Sequence, residues 1–200
     1  MSALAEGLAR YLHPAQLELL RSTHVGIAGA GGLGSNVAFM LVRSGIRHVT
    51  IVDFDVVEAA NLNRQAYVPS DVGEPKVSAL ARHLRNLEPA AEIAAVQAKL
   101  TPDNTALHFA SCAVVVEALD GASEKAMCYA ALRHSGCYYV GASGLGGWGG
   151  PPMRIQKIGA FGVCVGDFTC AADADNPPLA PRVMQAAALQ ADAVLAYILR

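Results

Sequence analysis

The stretch that decides the fold is HVGIAGAGGLGSNVAFMLVRSG at 24–45, which is followed by HVTIVD at 48–53. Residues 24–29 are mostly apolar and run into glycines, which is typical of a buried strand entering a tight turn. The stretch from 33 to 45 then has the composition of a helix and ends at Gly45. A strand, a glycine turn, a helix and a second strand in this order predict a βαβ unit of a parallel sheet.

The glycines of this unit match a phosphate-binding loop. Gly29, Gly31 and Gly34 fit the pattern G-x-G-x-x-G, and Asp53 closes the next strand. Such glycines let the backbone approach a phosphate closely, and the N-terminus of the following helix attracts negative charge. A carboxylate at the end of the second strand is placed to bind ribose hydroxyls. The alternative, that the glycines only allow the helix to pack on the strand, stays open at this point.

Strands and helices continue to alternate along the chain. Further strands are predicted at 92–98, 111–119 and 137–142, and helices at 75–87, 123–134 and 182–199. Because parallel strands need right-handed crossovers, helices are expected on both faces of the sheet. The predicted fold class is α/β: a doubly wound, mostly parallel, Rossmann-like sheet. The segments MRIQKI and FGVCVGDF add a small antiparallel extension near the C-terminus.

The whole chain, 1–200, is expected to form one domain. It has an N-terminal helical segment at 1–22 and glycine-rich and crossover loops at 143–180. Hydrophobic residues make up 53% and charged residues 16% of the sequence, which excludes a disordered chain.

The charge balance restricts the partners and the location. The formal net charge of −2 offers no basic field for nucleic acid. The most apolar stretch, 183–199, contains Asp192 and is too short to cross a membrane. Five cysteines and the lack of a signal-peptide pattern indicate a cytoplasmic protein. We therefore expect no nucleic acid partner and no membrane partner.

Two cations favour a nucleoside triphosphate over NAD. The sequence after the second strand reads D-F-D at 53–55, N-L-N-R-Q at 61–65 and G-E-P-K-V at 73–77. NAD binding has little use for two cations, whereas Arg64 and Lys76 suit a triphosphate. Asp120 ends an apolar strand, where a carboxylate could hold Mg²⁺ against phosphate oxygens.

Five elements in this order and spacing resemble the ThiF/MoeB/HesA family, the bacterial relatives of ubiquitin-activating enzymes. They are GxGGxGS at 29–35, D-F-D, N-L-N-R-Q, G-x-P-K and the strand that ends in Asp120. The resemblance covers about residues 24–145. It implies an adenylyltransferase that uses ATP and Mg²⁺ to activate the C-terminal glycine of a small β-grasp sulfur-carrier protein with a Gly-Gly tail.

The resemblance also assigns roles to individual residues. Asp53 would bind the ribose, Asn61, Arg64 and Lys76 the phosphates, and Asp120 the Mg²⁺. The nucleotide-binding residues implied in this way are Gly29, Gly31, Gly32, Gly34, Asp53, Asp55, Asn61, Arg64, Lys76 and Gly121. The catalytic set is Arg64, Lys76, Asp120 and Cys170.

The chain departs from the family pattern at three points. No two cysteines are spaced C-x-x-C, so no zinc is expected. Cys170 lies in a loop where some relatives place a cysteine that links to the carrier, although it could also be an ordinary loop cysteine. Relatives begin with an R-Y-x-R-Q segment that donates an arginine across a homodimer, whereas residues 10–14 here read R-Y-L-H-P, with His13 where the second arginine would fall. Arg10 is the candidate to replace it, and a homodimer is expected.

The resulting hypothesis is adenylation of a ThiS-like sulfur carrier, in the formation of the thiazole of thiamine. Two alternatives stay open from the sequence. A NAD-binding Rossmann oxidoreductase would leave Arg64 and Lys76 unexplained, and a non-catalytic nucleotide-binding module would bind ATP without turning it over.

Overall fold

A computed structural model describes residues 2–200 and contains seven α-helices, two short 3-10 helices (Ala59–Asn61 and Pro69–Asp71) and seven strands within them. The helices are α1 (Ala3–Leu8), α2 (Pro14–Ser22), α3 (Gly32–Arg43), α4 (Lys76–Leu87), α5 (Thr105–His108), α6 (Ala122–Leu132) and α7 (Ala180–Ile198). The strands are β1 (His24–Ala28), β2 (His48–Asp53), β3 (Glu92–Gln97), β4 (Val114–Glu117), β5 (Tyr138–Ala142), β6 (Arg154–Ile158) and β7 (Gly162–Gly166).

The strands form one sheet in the order β3-β2-β1-β4-β5-β7-β6. Every neighbouring pair is parallel except β6 and β7, which are antiparallel at one edge. The predicted doubly wound, mostly parallel sheet with an antiparallel extension is therefore confirmed. The chain builds β1, β2 and β3 outward in one direction and then returns to place β4 on the other side of β1, so the strand order reverses between β1 and β4.

Helices cover both faces of the sheet, because the central strands are apolar on both sides. In β4, Val114 and Val116 pack into one core with α3, α4 and α7. Val115 points the other way, into a core that includes Phe109 and residues of α6. Successive side chains of a strand alternate between the two faces, so a continuous apolar run is what a central parallel strand requires.

One predicted strand is shorter in the structure, and one short helix was not predicted. The apolar run predicted as a strand over 111–119 is a strand only at Val114–Glu117. Cys112 belongs instead to a turn, in which its N–H donates to the carbonyl of Phe109 at 3.0 Å. Residues 118–120 leave the sheet and form part of the site described below. The short helix α5 was not predicted, because four residues carry too little periodicity to detect.

No helix within residues 2–200 is both long and apolar enough to cross a lipid bilayer.

Candidate nucleotide-binding site

The first cleft lies at the carboxyl ends of β1, β2 and β4, where the strand order reverses. Doubly wound sheets bind their ligands at such a point. The cleft has a volume of about 280 Å³. It is lined by Gly29, Gly31, Val52, Asp53, Phe54, Asp55, Lys76, Ala98, Lys99, Leu100, Ala118, Leu119, Asp120, Gly121, Glu124 and Met127.

The glycines of the loop differ in what surrounds them. Gly29 has a φ of +99°, and a Cβ there would lie 2.7 Å from the carbonyl oxygen of Ala118. A Cβ at Gly34 would collide with the carbonyl oxygen of Gly29, so these two glycines are required for packing. Gly31 is different, because the nearest atom to a Cβ there is Nε2 of Gln65 at 3.8 Å. The backbone at Gly31 is therefore open to the cleft.

Asp53 connects the end of β2 to the glycine loop. Its Oδ2 accepts a hydrogen bond from the N–H of Ala30 at 2.6 Å, and its Oδ1 accepts one from the N–H of Asp55 at 2.8 Å. Burial raises the pKa of Asp53, and the two backbone N–H groups and the Lys76 ammonium oppose that effect only in part. The carboxylate is thus held at the edge of the cleft, in the position expected for a ribose-binding group.

Lys76 is the first residue of α4, and its ammonium is buried in the wall of the first cleft. Its Nζ lies 2.7 Å from Oδ2 of Asp55. The hydroxyl of Tyr67 donates a hydrogen bond to the carbonyl of Ala30 at 2.7 Å and also lies 3.3 Å from the carbonyl of Lys76. Tyr67 therefore fixes the start of α4 against the glycine loop.

A second cleft of about 500 Å³ adjoins the first. Leu119 and Asp120 line both clefts, so the two spaces meet at these residues. The side-chain oxygen of Gln65 is buried here with no hydrogen-bond partner in the described part of the chain. The other residues of the wall are Gly32, Leu33, Arg64, Ala122, Lys125, Ser143, Gly144, Leu145, Ala171, Ala172, Asp173, Pro178 and Val183.

The structure does not bring the two sequence-predicted cations into one cleft. Lys76 lines the first cleft, whereas Arg64 lines the second. The guanidinium of Arg64 donates to Oδ1 of Asn63 at 2.8 Å and to the carbonyl of Ala60 at 3.1 Å. Asn61 lines neither cleft, and its Oδ1 accepts from the N–H of Glu58 at 3.0 Å. Phosphate roles for Arg64 and Asn61 therefore remain predictions.

Asp120 lies at the junction of the two clefts with its side chain exposed. Gly121 follows as the residue that precedes the first turn of α6, so the N-terminus of that helix also faces the junction. A helix N-terminus carries free N–H groups and a partial positive charge. One carboxylate and one helix end are thus presented at the same place.

The donor set at this junction suits Mg²⁺. Within residues 2–200, no three His, Cys, Asp or Glu side chains form a metal-binding cluster. Mg²⁺ commonly takes only one or two carboxylates and completes its coordination with substrate phosphates and water. A single carboxylate at Asp120 fits that type of site.

Cys170 lies in the loop beside the second cleft without lining it. Its N–H donates to Oδ1 of Asp167 at 2.8 Å, and that carboxylate forms a buried ion pair with Arg182. Burial raises the pKa of Asp167, but hydrogen bonds from Cys170 and Thr169 outweigh this and hold the pKa below its usual value. The next two residues, Ala171 and Ala172, do line the cleft, so Asp167 and Arg182 position this wall.

Several residues of the site were not found from the sequence. Tyr67 and Lys125 give no local signal, because each becomes part of the site only through its contacts with distant strands. The apolar end of the first cleft, formed by Leu100 and Met127, reads as ordinary core in the sequence. Ser143, Gly144 and Leu145 were predicted only as part of the loops at 143–180.

The fold and the cleft define a nucleotide-binding protein of the doubly wound α/β class. The features that define it are the glycine loop between a strand and a helix, the acidic residue at the end of the second strand and the position of the cleft where the strand order reverses. Within that class, residues 5–200 match the model of the ThiF family. The chain belongs to the ThiF family, as the sequence motifs predicted.

Relatives of known function differ in their substrates. The chain is 34% identical over 143 residues to tRNA threonylcarbamoyladenosine dehydratase of Escherichia coli, covering 70% of this chain and 53% of the relative. It is 38% identical over 108 residues to the sulfur carrier protein adenylyltransferase of Thermus thermophilus, covering 54% and 40%. The chain thus matches only about half, or less, of the length of these relatives.

The fold is similar over a greater length to a solved structure. The crystal structure of the E. coli dehydratase in complex with AMP superimposes with a TM-score of 0.87 at 23% identity. The similarity covers 97% of this chain and 93% of that chain. At this identity the match establishes a shared fold.

Proposed function

We propose that this protein uses ATP to adenylate the C-terminal glycine of a small β-grasp sulfur-carrier protein. The observation that carries the proposal is the meeting of two clefts at Asp120, one suited to a nucleotide and the other to a substrate tail. The two reactants would approach each other at the one carboxylate that both clefts share.

The first cleft suits ATP. Leu100 and Met127 offer an apolar surface to a base, and Asp53 lies where ribose hydroxyls would be bound. Gly31 and Lys76 offer an open backbone and a cation to the phosphates. Apolar walls with a few oriented polar groups are typical of small-molecule sites.

The second cleft suits a narrow, extended peptide. Much of its wall has short side chains or none, at Ser143, Gly144, Ala171 and Ala172. Such a channel accepts a chain end without large side chains, as a Gly-Gly tail is. Arg64 lies in the same wall and keeps the phosphate-binding role proposed for it.

The chemistry then needs orientation and charge neutralisation. The carboxylate is ionised at neutral pH, so no general base is required. One of its oxygens forms a bond to the α-phosphorus, the bond to the β-phosphate oxygen breaks, and pyrophosphate leaves with the electron pair. Mg²⁺ held by Asp120 would neutralise phosphate charge as this occurs. The protein contributes alignment and fixed positive charge.

A second substrate class is a carboxylate carried on tRNA. The match to the E. coli tRNA threonylcarbamoyladenosine dehydratase favours it. The formal net charge of −2 argues against it, since tRNA binding depends on basic surfaces. We therefore place the protein carrier first. For the pathway we propose thiamine thiazole formation, which the resemblance to the ThiF branch and the cysteine spacing without C-x-x-C pairs support.

ATP–pyrophosphate exchange tests the proposal and separates the two substrates. We expect exchange with purified β-grasp carriers that end in Gly-Gly and none with the same carriers lacking the last glycine. Exchange with tRNA that bears threonylcarbamoyladenosine, and with no carrier, would replace the proposed substrate by the second one. Absence of exchange with both would refute the adenylation activity.

We also propose a homodimer in which Arg10 acts on the partner's site. Leu8 lies 3.4 Å from where a Cβ of Gly45 would be, beyond the C-terminal end of α3. Arg10 follows two residues later, whereas the glycine loop is at the other end of that helix, about 18 Å away for 12 residues. Arg10 therefore reaches a nucleotide only in a second subunit. If Arg10 acts on the partner's site, mixing Arg10→Ala and Lys76→Ala proteins should restore activity.

The proposed role of Cys170 is sulfur handling or a link to the carrier after adenylation. A Cys170→Ser protein should then keep pyrophosphate exchange and lose a thiol-sensitive adduct with the carrier on denaturing gels. An adduct that persists in the variant would remove Cys170 from the mechanism.

A further inference from the structure

Lys125 presents a fixed positive charge to the second cleft. It is the fourth residue of α6, and its Nζ lies 2.9 Å from Oε1 of Glu117 and 3.1 Å from the carbonyl oxygen of Ala142. An ammonium has three N–H donors. Two are used by these contacts, and Lys125 also lines the cleft, so one donor remains for a ligand.

The surroundings hold Glu117 firmly in place beneath Lys125. Glu117 is 2% exposed, and its Oε1 also accepts from the N–H of Leu119 at 2.7 Å. The amide of Gln190 donates to the carbonyl of Glu117 at 2.8 Å. Because Glu117 cannot turn away, the ammonium paired with it keeps one position at the cleft wall.

This arrangement is not what stability alone favours. A cation in the first turns of a helix opposes the helix dipole. A largely buried ion pair repays its desolvation only in part, and apolar residues of similar volume are often as stable. The pair of Glu117 and Lys125 is better explained by an anion that enters the second cleft and meets the free donor.

We propose that Lys125 is a further catalytic residue, which binds the acceptor's carboxylate beside the α-phosphate of ATP. This inference rests on the proposed function. Two anions must meet at the Asp120 junction, and their repulsion has to be offset on the acceptor side as well as on the nucleotide side. Lys76 lies in the first cleft and is paired with Asp55. Lys125 supplies the charge on the acceptor side.

The step keeps Lys125 protonated throughout. A carboxylate oxygen of the acceptor forms the new bond to the α-phosphorus, and pyrophosphate leaves with the electrons of the broken bond. The other carboxylate oxygen accepts a hydrogen bond from the free N–H of Lys125. Lys125 orients the carboxylate and offsets its charge without donating or accepting a proton.

The test compares Lys125→Met, Lys125→Arg and the control Lys157→Met in full-length protein. Lys157 is exposed on β6 and lines neither cleft. Loss of one charge-assisted hydrogen bond should lower kcat/KM for the carrier roughly 10- to 100-fold in Lys125→Met. The Kd for ATP, measured by calorimetry without carrier, should change less than about twofold. Lys125→Arg should recover part of the activity, and Lys157→Met should behave as wild type.

Other results would overturn the inference. If Lys125→Met weakens ATP binding as much as it weakens carrier use, Lys125 belongs to the nucleotide site or to the fold. If it exchanges pyrophosphate like wild type, the residue has no catalytic role. If Lys125→Met does not fold, the Lys125→Arg variant decides the question. A wild-type KM for the carrier together with a lower melting temperature in Lys125→Arg would mean that Lys125 is a structural residue. If the wild-type protein shows no pyrophosphate exchange with any carboxylate substrate, the proposed function itself is refuted. That result differs from one in which only the role of Lys125 fails.

Discussion

The carboxylate of Asp53 accepts a hydrogen bond from the backbone N–H of Ala30 at 2.6 Å, and this bond joins the end of β2 to the glycine loop after β1. The other oxygen of the same carboxylate accepts from Asp55 N–H at 2.8 Å. One side chain therefore shapes the loop and also forms part of the nucleotide cleft. The proposed binding of ribose and the local stability would then be coupled at this residue.

Replacing Asp53 by Asn should weaken both properties. The Asn side chain has one oxygen, so it can accept from Ala30 or Asp55 but not from both in the present geometry. A buried N–H left without a partner costs about 1–3 kcal/mol of unfolding free energy. Urea unfolding and ATP calorimetry measure the two effects. Unchanged ATP affinity in Asp53→Asn would contradict the ribose-binding role.

Two glycine substitutions should separate packing from binding. Gly34→Ala places a methyl group against the carbonyl of Gly29 and should cost about 1–3 kcal/mol or more, with a lower melting temperature. Gly31→Ala has room, because no atom outside the chain neighbours lies within 3.8 Å of its Cβ. It should melt like wild type and bind ATP at least about tenfold more weakly, as a methyl group there obstructs close approach to the backbone. Wild-type ATP binding by Gly31→Ala would exclude it from the phosphate site.

Lys76→Met should reduce pyrophosphate exchange by roughly 100-fold, since a buried cation that faces developing charge is worth this much in other sites. The stability loss should be smaller, because Asp55 is exposed enough to be solvated when its partner is removed. Exchange rates and melting temperatures are measured on the same samples. Normal exchange by the variant would show that the phosphates lie elsewhere.

Asp120→Asn should lower exchange at least about 100-fold and leave stability within about 0.5 kcal/mol, because the side chain is exposed. The matched control is Asp103→Asn, another exposed aspartate that lines neither cleft. A Mg²⁺ titration of the residual activity checks the metal role: the variant should need a higher Mg²⁺ concentration. An unchanged Mg²⁺ requirement would remove Asp120 from the metal site.

Asp71 predicts a pH dependence of stability away from the clefts. Burial raises its pKa, but hydrogen bonds from the Val68 N–H, Arg82 and His83 outweigh this and lower the pKa to about 2. A lowered folded-state pKa gives stability that is present above the unfolded value near 4 and lost as pH falls towards 2. Asp71→Asn should therefore lose about 2 kcal/mol at pH 7, and the difference should shrink below pH 4. A constant difference across that range would contradict the assignment.

The sheet could be predicted from the sequence because its signals are local. The β1–α3–β2 unit follows from a few adjacent glycines and Asp53, and the apolar run of β4 marks a central strand. The site was predicted in part, since Asp53, Lys76 and Asp120 stand at the ends of such elements. The separation of Arg64 from Lys76 could not be predicted, because it depends on how the loop at 54–73 folds over α3.

Lys125 shows the same limit more clearly. In the sequence it is one lysine on a predicted helix, which is ordinarily a solvated position. Its orientation is set by Glu117 and by the carbonyl of Ala142, residues 8 and 17 positions away along the chain. Only the pairing of β4 with β5 brings these atoms together beside the cleft.

The central claim is that this protein transfers the adenylyl group of ATP to a carboxylate at a carrier's C-terminus. The most direct measurement is the intact mass of a purified Gly-Gly carrier after incubation with the protein, ATP and Mg²⁺, quenched in acid. We predict a species heavier by one adenylyl group, which is lost when the terminal glycine is removed or when Asp120 is changed to Asn. An unmodified carrier under conditions in which the protein binds ATP would contradict the claim.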